Sequence, residues 1–180
     1  MTATERKILI FDSSSLITAA KFNVGERLVL EFVLDHAKIL IPQGVKTEAV
    51  DQGIREGYPD AWALSNCIRQ GSIVVQATSL IGATFEQVIN AYEIEEGDQE
   101  VLRLCRDTEQ YDHVVVDDRL LYIICHRFRM HPLLLPDLIV MLGKEGYVAE
   151  DVCEGMLKAI RSRYRRGFIE HSLQALRGGL

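Results

Sequence analysis

The sequence predicts an α/β fold: a mostly parallel, five-stranded sheet wrapped by helices on both faces, with further helices toward the carboxyl end. Two observations carry this. Apolar runs of strand length, each bounded by polar or breaker residues, recur along the chain, and such runs read as strands buried on both sides. Segments with helical periodicity separate them, and strands alternating with helices specify crossover connections. The chain has 180 residues, 48% hydrophobic and 26% charged, which suits one domain with a substantial core.

The first apolar run, 8–11, ends abruptly in Asp12 and three serines, and a helix over 14–20 follows. A second helix, 26–36, turns Leu28, Phe32 and Leu34 toward the core. The run KILI, 38–41, is the second strand, stopped by Pro42. A helix over 43–56 has Pro42 at its start and Gly57 after its end, the asymmetry helices prefer. Another helix, 60–70, closes at Gly71, and 72–76 makes the third strand. Helices over 84–91 and 97–107 precede a fourth strand, 113–116, which runs into Asp117 and Asp118. A helix over 119–128 leads to a fifth strand, 131–135, whose Pro132 marks an edge position. From Asp137 onward the chain reads as helices, with breaks near 143–146 and near Gly167. No repeat, low-complexity tract or linker divides it.

The net charge is 20 − 26 = −6. Such a balance weighs against a polyanionic substrate unless metal ions or a local basic face reverse the field. Cys67, Cys105, Cys125 and Cys153 are widely spaced with no CxxC pair, and read as small apolar residues in a reducing compartment. No charged-then-apolar leader opens the chain and no apolar run approaches ~18 residues. A cytoplasmic protein with no membrane partner is the expectation.

Carboxylates stand at four places where this architecture can gather them. Asp12 follows strand one, and Glu48 lies in the first two turns after strand two. Asp98 opens the helix 97–107 with Glu95, Glu96 and Glu100 beside it, and Asp117 and Asp118 follow strand four. Ligands of open α/β sheets bind outside the carboxyl ends of the strands. If strands one, two and four are neighbours, these acids share one rim. Carboxylates crowded together need a cation, or their pKa values rise. Hard oxygen ligands select Mg²⁺ or Mn²⁺, ions that activate water and stabilise the attacking and leaving oxygens in phosphodiester cleavage. Singly, an acid at a strand end or helix start is explained as an N-cap or as a charge opposing the helix dipole; the pattern lies in their order.

These residues carry a resemblance. The segments ILIFDSSSLI, ILIPQGVKTEAV, EEGDQEVLRLC, VVVDDRLL and RYRRGFIEHSL occur in the order found in PIN-domain nucleases, and within that superfamily the chain is similar to the DUF3368 group. The resemblance implies an α/β/α sandwich with a metal site of three or four acids. The first would be Asp12, with the Ser14 hydroxyl as an accessory, and the second Glu48. The third falls on Asp98, with Glu100 as the alternative, and the fourth on Asp118 or Asp117. It further implies a Mg²⁺- or Mn²⁺-dependent ribonuclease. Many relatives are toxins of toxin–antitoxin pairs, so the expected partners are RNA, a small antitoxin protein and a second copy in a homodimer. Residues 1–145 would form the PIN-like domain, and 146–180 a helical extension packed on it.

Lys158, Arg161, Arg163, Arg165 and Arg166, with Tyr164 among them, form a local basic cluster. Arginines beside an aromatic suit the backbone and bases of single-stranded RNA; a solvated helix end explains the same residues. His126, Arg127 and Arg129 make a smaller patch. No histidine pair has metal-ligand spacing, and no GxSxG elbow surrounds Ser13–Ser15, which read as helix-capping partners of Asp12. Trp62 reads as a packing residue and Asp137 as an N-cap. The function expected is phosphodiester hydrolysis of RNA by metal-activated water. The alternative is a catalytically inactive PIN-like protein that binds a protein partner or RNA. A haloacid-dehalogenase-like phosphatase also puts Asp after strand one but needs a second Asp where this chain has Ser14.

Overall fold

The computed structural model describes residues 6–179. Its strands are β1 (Lys7–Phe11), β2 (Asn23–Val24), β3 (Arg27–Leu28), β4 (Ala37–Pro42), β5 (Ile73–Gln76), β6 (His113–Val115) and β7 (Pro132–Leu133). All but β2 and β3 join one sheet, in the order β5-β4-β1-β6-β7, and every pairing in it is parallel. Leu9 stands between Ile39 of β4 and His113 of β6. Successive strand residues point to opposite faces, and Leu9, Ile10 and Phe11 are all fully buried. Both faces of β1 are therefore covered, and the architecture is an α/β/α sandwich.

The helices are α1 (Ser13–Lys21), α2 (Val29–Leu34), α3 (Gln43–Lys46), α4 (Gly53–Glu56), α5 (Pro59–Arg69), α6 (Ala83–Asn90), α7 (Glu96–Asp107), α8 (Arg119–Arg127), α9 (Leu135–Lys144), α10 (Glu150–Ile160) and α11 (Arg166–Leu176). A π-helical turn, Thr47–Gln52, joins α3 to α4, and a 3₁₀ turn, Arg161–Arg163, follows α10. No helix among the described residues is long and apolar enough to cross a membrane.

The chain leaves β1 for β4 and β5 on one side, then returns to β6 and β7 on the other. The strand order thus reverses between β1 and β6, and the carboxyl ends there border the crevice where such sheets take ligands. Strands one, two and four of the sequence reading are neighbours. The proline of β7 sits at an edge, where its missing N–H costs no ladder bond.

Four expectations need correction. The helix predicted over 26–36 is only Val29–Leu34, because Gly25, at φ 61, turns the chain into the β2–β3 hairpin. The fifth strand shrinks to Pro132–Leu133, since α9 starts at Leu135. Asp137, read as an N-cap, lies in the first turn of α9, whose N-cap is Leu134. The helix breaks fall where expected: α9 ends at Lys144, between Gly143 and Gly146, and α11 starts at Arg166, next to Gly167. A Cβ on Gly143 would come within 2.7 Å of Leu176 Cδ1, so that glycine permits α9 and α11 to touch. Trp62 is 54% exposed and packs little.

The carboxyl-terminal helices share the main core. Cys153, Met156, Leu157, Ile160, Ile169 and Leu176 belong to the same apolar cluster as the sheet. Cys105 and Cys125 are buried in it as well, and all four cysteines are free.

Two contacts fix α7, the helix that carries Asp98. Its Arg103, 8% exposed, meets Glu86 of α6 through Nε and Nη2 at 3.1 and 2.9 Å, and Nη2 also donates to Gln99. Two N–H groups meeting one carboxylate keep the buried charge paired. At the other end, the amide of Gly44 donates to Glu100 Oε2 at 2.5 Å, satisfying an orphan N–H of α3. A Cβ on Gly44 would lie 3.0 Å from the Gly97 Cα, a backbone atom that cannot swing aside. Gly44→Ala should therefore cost about 1–3 kcal/mol, read as a lower urea midpoint with an unchanged slope.

Candidate active site

Asp12 is the innermost acid, 2% exposed at the end of β1. It N-caps α1: Oδ1 accepts from the Ser15 amide at 2.8 Å and from the Ser15 hydroxyl, while Oδ2 accepts from the Asp117 amide at 3.0 Å. Ser15 Oγ also lies 2.9 Å from the Val115 carbonyl of β6. Loss of water raises the Asp12 carboxyl above its ordinary value, and the bonds from Ser15 and Asp117 pull it back. The serine reading shifts in detail: the helix cap is Asp12 itself.

Glu48 reaches the rim from the π-helical turn. A π turn carries five-residue hydrogen-bond spacing, and such bulges recur at functional sites. Glu48 is exposed, and its Oε2 would lie 3.9 Å from a Cβ on Gly97, so its carboxyl lies beside the amino end of α7. Asp98 is in the first turn of that helix. The Gly44–Gly97 approach thus places α7 close enough for Asp98 to face Asp12 and Glu48.

Asp12, Ser14, Glu48, Asp98 and Asp118 line one cleft of about 300 Å³, together with Glu93, Glu95 and Leu120. Its lining holds six carboxylates and no Lys, Arg or His. The Asp98 carboxyl is accordingly pushed up to about 7, first by loss of water and then by Asp118, Asp12, Glu95 and Glu48. A larger cleft of about 490 Å³ opens beside Lys7, Asp112 and Tyr147. It lies at the amino ends of β1 and β6, away from the end where α/β sheets take ligands.

The donor set suits a hard divalent cation, being oxygen throughout and electrostatically uncompensated. Among the described residues, no three His, Cys, Asp or Glu side chains stand close enough together to hold a metal ion as placed. Glu48 and Asp118 are exposed, while Asp12 is buried and fixed by its bonds to Ser15 and Asp117.

Asp117 and Asp118 differ. Asp118 lines the cleft, and its Oδ1 accepts from the Leu121 amide at 2.7 Å, capping α8. Asp117 is absent from the lining; its Oδ2 accepts from the Tyr164 hydroxyl at 2.5 Å and its Oδ1 from the Leu135 amide at 3.4 Å. Burial pushes the Asp117 carboxyl up to about 6, with the Tyr164 bond opposing and Asp12 adding to the rise. Glu100 also lies outside the cleft, bound to Gly44.

Within the basic cluster, Arg161, Arg163, Arg165 and Arg166 are exposed. Arg163 Nε lies 3.4 Å from Thr18 Oγ1, and Arg166 pairs with Glu170 at 3.5 Å. Tyr164 is only partly exposed, with its hydroxyl on Asp117. The arginines thus stand beside the rim, but the aromatic among them is not an open stacking surface.

A family model described as a PIN domain, DUF3368, matches residues 8–176. The chain belongs to this family. No curated protein matches it. The PIN domain is a nuclease-type fold whose members generally use divalent metal ions, and the match runs through the carboxyl-terminal helices as well as the sheet.

Sequence reasoning missed three parts of this PIN-domain cleft: the π turn, the Tyr164–Asp117 bond and the glycine crossing. Glycines in the first turns of both α3 and α7 were the available signal for the last. Between pH 3.8, its ordinary value, and about 7, Asp98 holds more proton in the native state than unfolded, so stability falls as pH rises through that window. Asp98→Asn should therefore raise the melting temperature in EDTA at pH 8, with a gain that shrinks toward pH 4.5, measured by circular dichroism.

Proposed function

We propose that this protein is a divalent-metal-dependent ribonuclease. The observation that carries the reading is the cleft at the strand-order reversal, lined by six carboxylates and no cation. Asp12, Asp98 and Asp118 would hold Mg²⁺ or Mn²⁺, with Asp118 rather than Asp117 as the fourth acid because Asp117 is bound to Tyr164 and Leu135. A divalent ion bound there would lower the pKa of water and stabilise charge on a phosphodiester. Glu48, exposed beside the α7 amino end, would take the proton of the attacking water, and Ser14 would hydrogen-bond the substrate. Arg161, Arg163, Arg165 and Arg166 would grip the RNA backbone, supplying locally the positive charge that the net −6 lacks. On family membership alone we extend the reading to a cytoplasmic toxin, active as a homodimer and held by a small antitoxin protein, with 146–180 as a helical extension.

A second reading, a PIN-domain protein that binds RNA or a protein partner without cleaving, draws support from the spread of the acids as they stand. One comparison separates the two. Wild type should cut single-stranded RNA with Mn²⁺ or Mg²⁺, and Asp12→Asn should lose about 100-fold or more. Mn²⁺ should also raise the melting temperature of the wild type clearly more than that of Asp12→Asn. Equal cleavage by both, or none from either across a broad substrate set, sinks the catalytic reading; equal Mn²⁺ shifts favour the binder.

A further inference from the structure

We infer that the Tyr164 hydroxyl is a positioning group for the acidic cleft, holding the turn between β6 and α8 so that Asp118 faces the cleft while Asp12 keeps its amide partner. The inference rests on the nuclease reading above and assigns Tyr164 a role other than stacking on RNA.

Tyr164 lies in extended backbone between the 3₁₀ turn and α11, with its ring against the core. Its hydroxyl donates to Asp117 Oδ2 at 2.5 Å, across 47 residues of chain. The Leu135 amide approaches the other Asp117 oxygen, so the carboxylate is held from two sides and kept out of the cleft. The amide of the same Asp117 donates to Asp12 Oδ2, and the next residue is Asp118. A hydroxyl on the carboxyl-terminal segment therefore acts on two cleft acids through one residue. Without it, Asp117 Oδ2 would lose its donor and only the long Leu135 contact to Oδ1 would remain, and a part-buried carboxylate so weakened reorients toward water. That reorientation would draw Asp117 toward the water of the cleft and loosen the turn that carries Asp118. The neighbouring Arg163 reaches Thr18 of α1, whose hydroxyl donates to the Ser14 carbonyl at 2.8 Å. Residues 163–164 thus brace both walls beside Asp12.

Tyr164→Phe in the full chain tests this, since it removes the hydroxyl and keeps the ring. Hydrogen exchange of the amides over 117–121 should quicken in the metal-free protein. Mn²⁺ affinity by calorimetry should weaken about 10-fold, and kcat on single-stranded RNA should fall with KM unchanged. Wild-type exchange and wild-type Mn²⁺ affinity in Tyr164→Phe would overturn the inference. So would a raised KM in Tyr164→Leu, absent from Tyr164→Phe, with Mn²⁺ affinity intact, because that pattern marks a stacking ring. If the wild type itself binds no Mn²⁺, the nuclease reading fails separately. Faster exchange in Tyr164→Phe would then still support the bracing of the turn, and unchanged exchange would overturn it.

Discussion

A carboxylate with almost no water around it has to be satisfied by its neighbours, and Asp12 imposes that requirement on the whole centre of the fold. Its two oxygens take the first turn of α1 through Ser15 and the end of β6 through the Asp117 amide. Ser15 in turn leans on the Val115 carbonyl. Three elements meet at one side chain, so the end of β1, the entry of α1 and the exit of β6 cannot shift independently. A helix cap and a cleft-lining acid are one residue here. Its capping bonds also temper the rise in pKa that burial causes.

Around that fixed point the other acids are held with graded firmness. Asp98 rides on α7, which is pinned at one end by the Arg103–Glu86 pair and at the other by the Gly44–Gly97 approach. Glu48 stands on a π turn, and Asp118 caps the helix that follows it. Asp12 accepts from both Ser15 and Asp117, and Asp118 from Leu121. Loss of water at Asp98, with repulsion from Asp118, Asp12, Glu95 and Glu48, is stored in the native state. A compact fold tolerates this because the core beneath is extensive and both faces of the central strand are covered. On the proposed reading, function and stability oppose one another at this rim, as they do in many sites.

The sheet was legible because its strands are unbroken apolar runs, and their carboxyl ends announce themselves by Asp12 and Asp117–Asp118. Parallel pairing and the edge position of Pro132 followed from the same local chemistry. The hairpin at Asn23–Leu28 was not legible, since LVLEFVL carries a helical periodicity that masked the turn at Gly25. Gly143 stands one residue before the end of α9, but its contact with Leu176 of α11 is a long-range fact that no local pattern contains. At the site, which acids converge depends on strand order, which no local pattern contains. That Asp118 lines the cleft while Asp117 is bound elsewhere depends on a tyrosine 47 residues away. Neither the π turn nor that bond has a sequence signature.

The bond from the Asp117 amide to Asp12 spans 105 residues. On a ribosome adding about 5–20 residues per second, Asp12 would wait roughly 5–20 s for that partner. Until β6 emerges, the nascent chain has a first strand whose terminal carboxylate must stay hydrated, and the sheet cannot close over it. Tyr164 arrives later still. The acidic rim is thus among the last features that synthesis can complete, and a half-made chain carries the acids without the geometry that joins them.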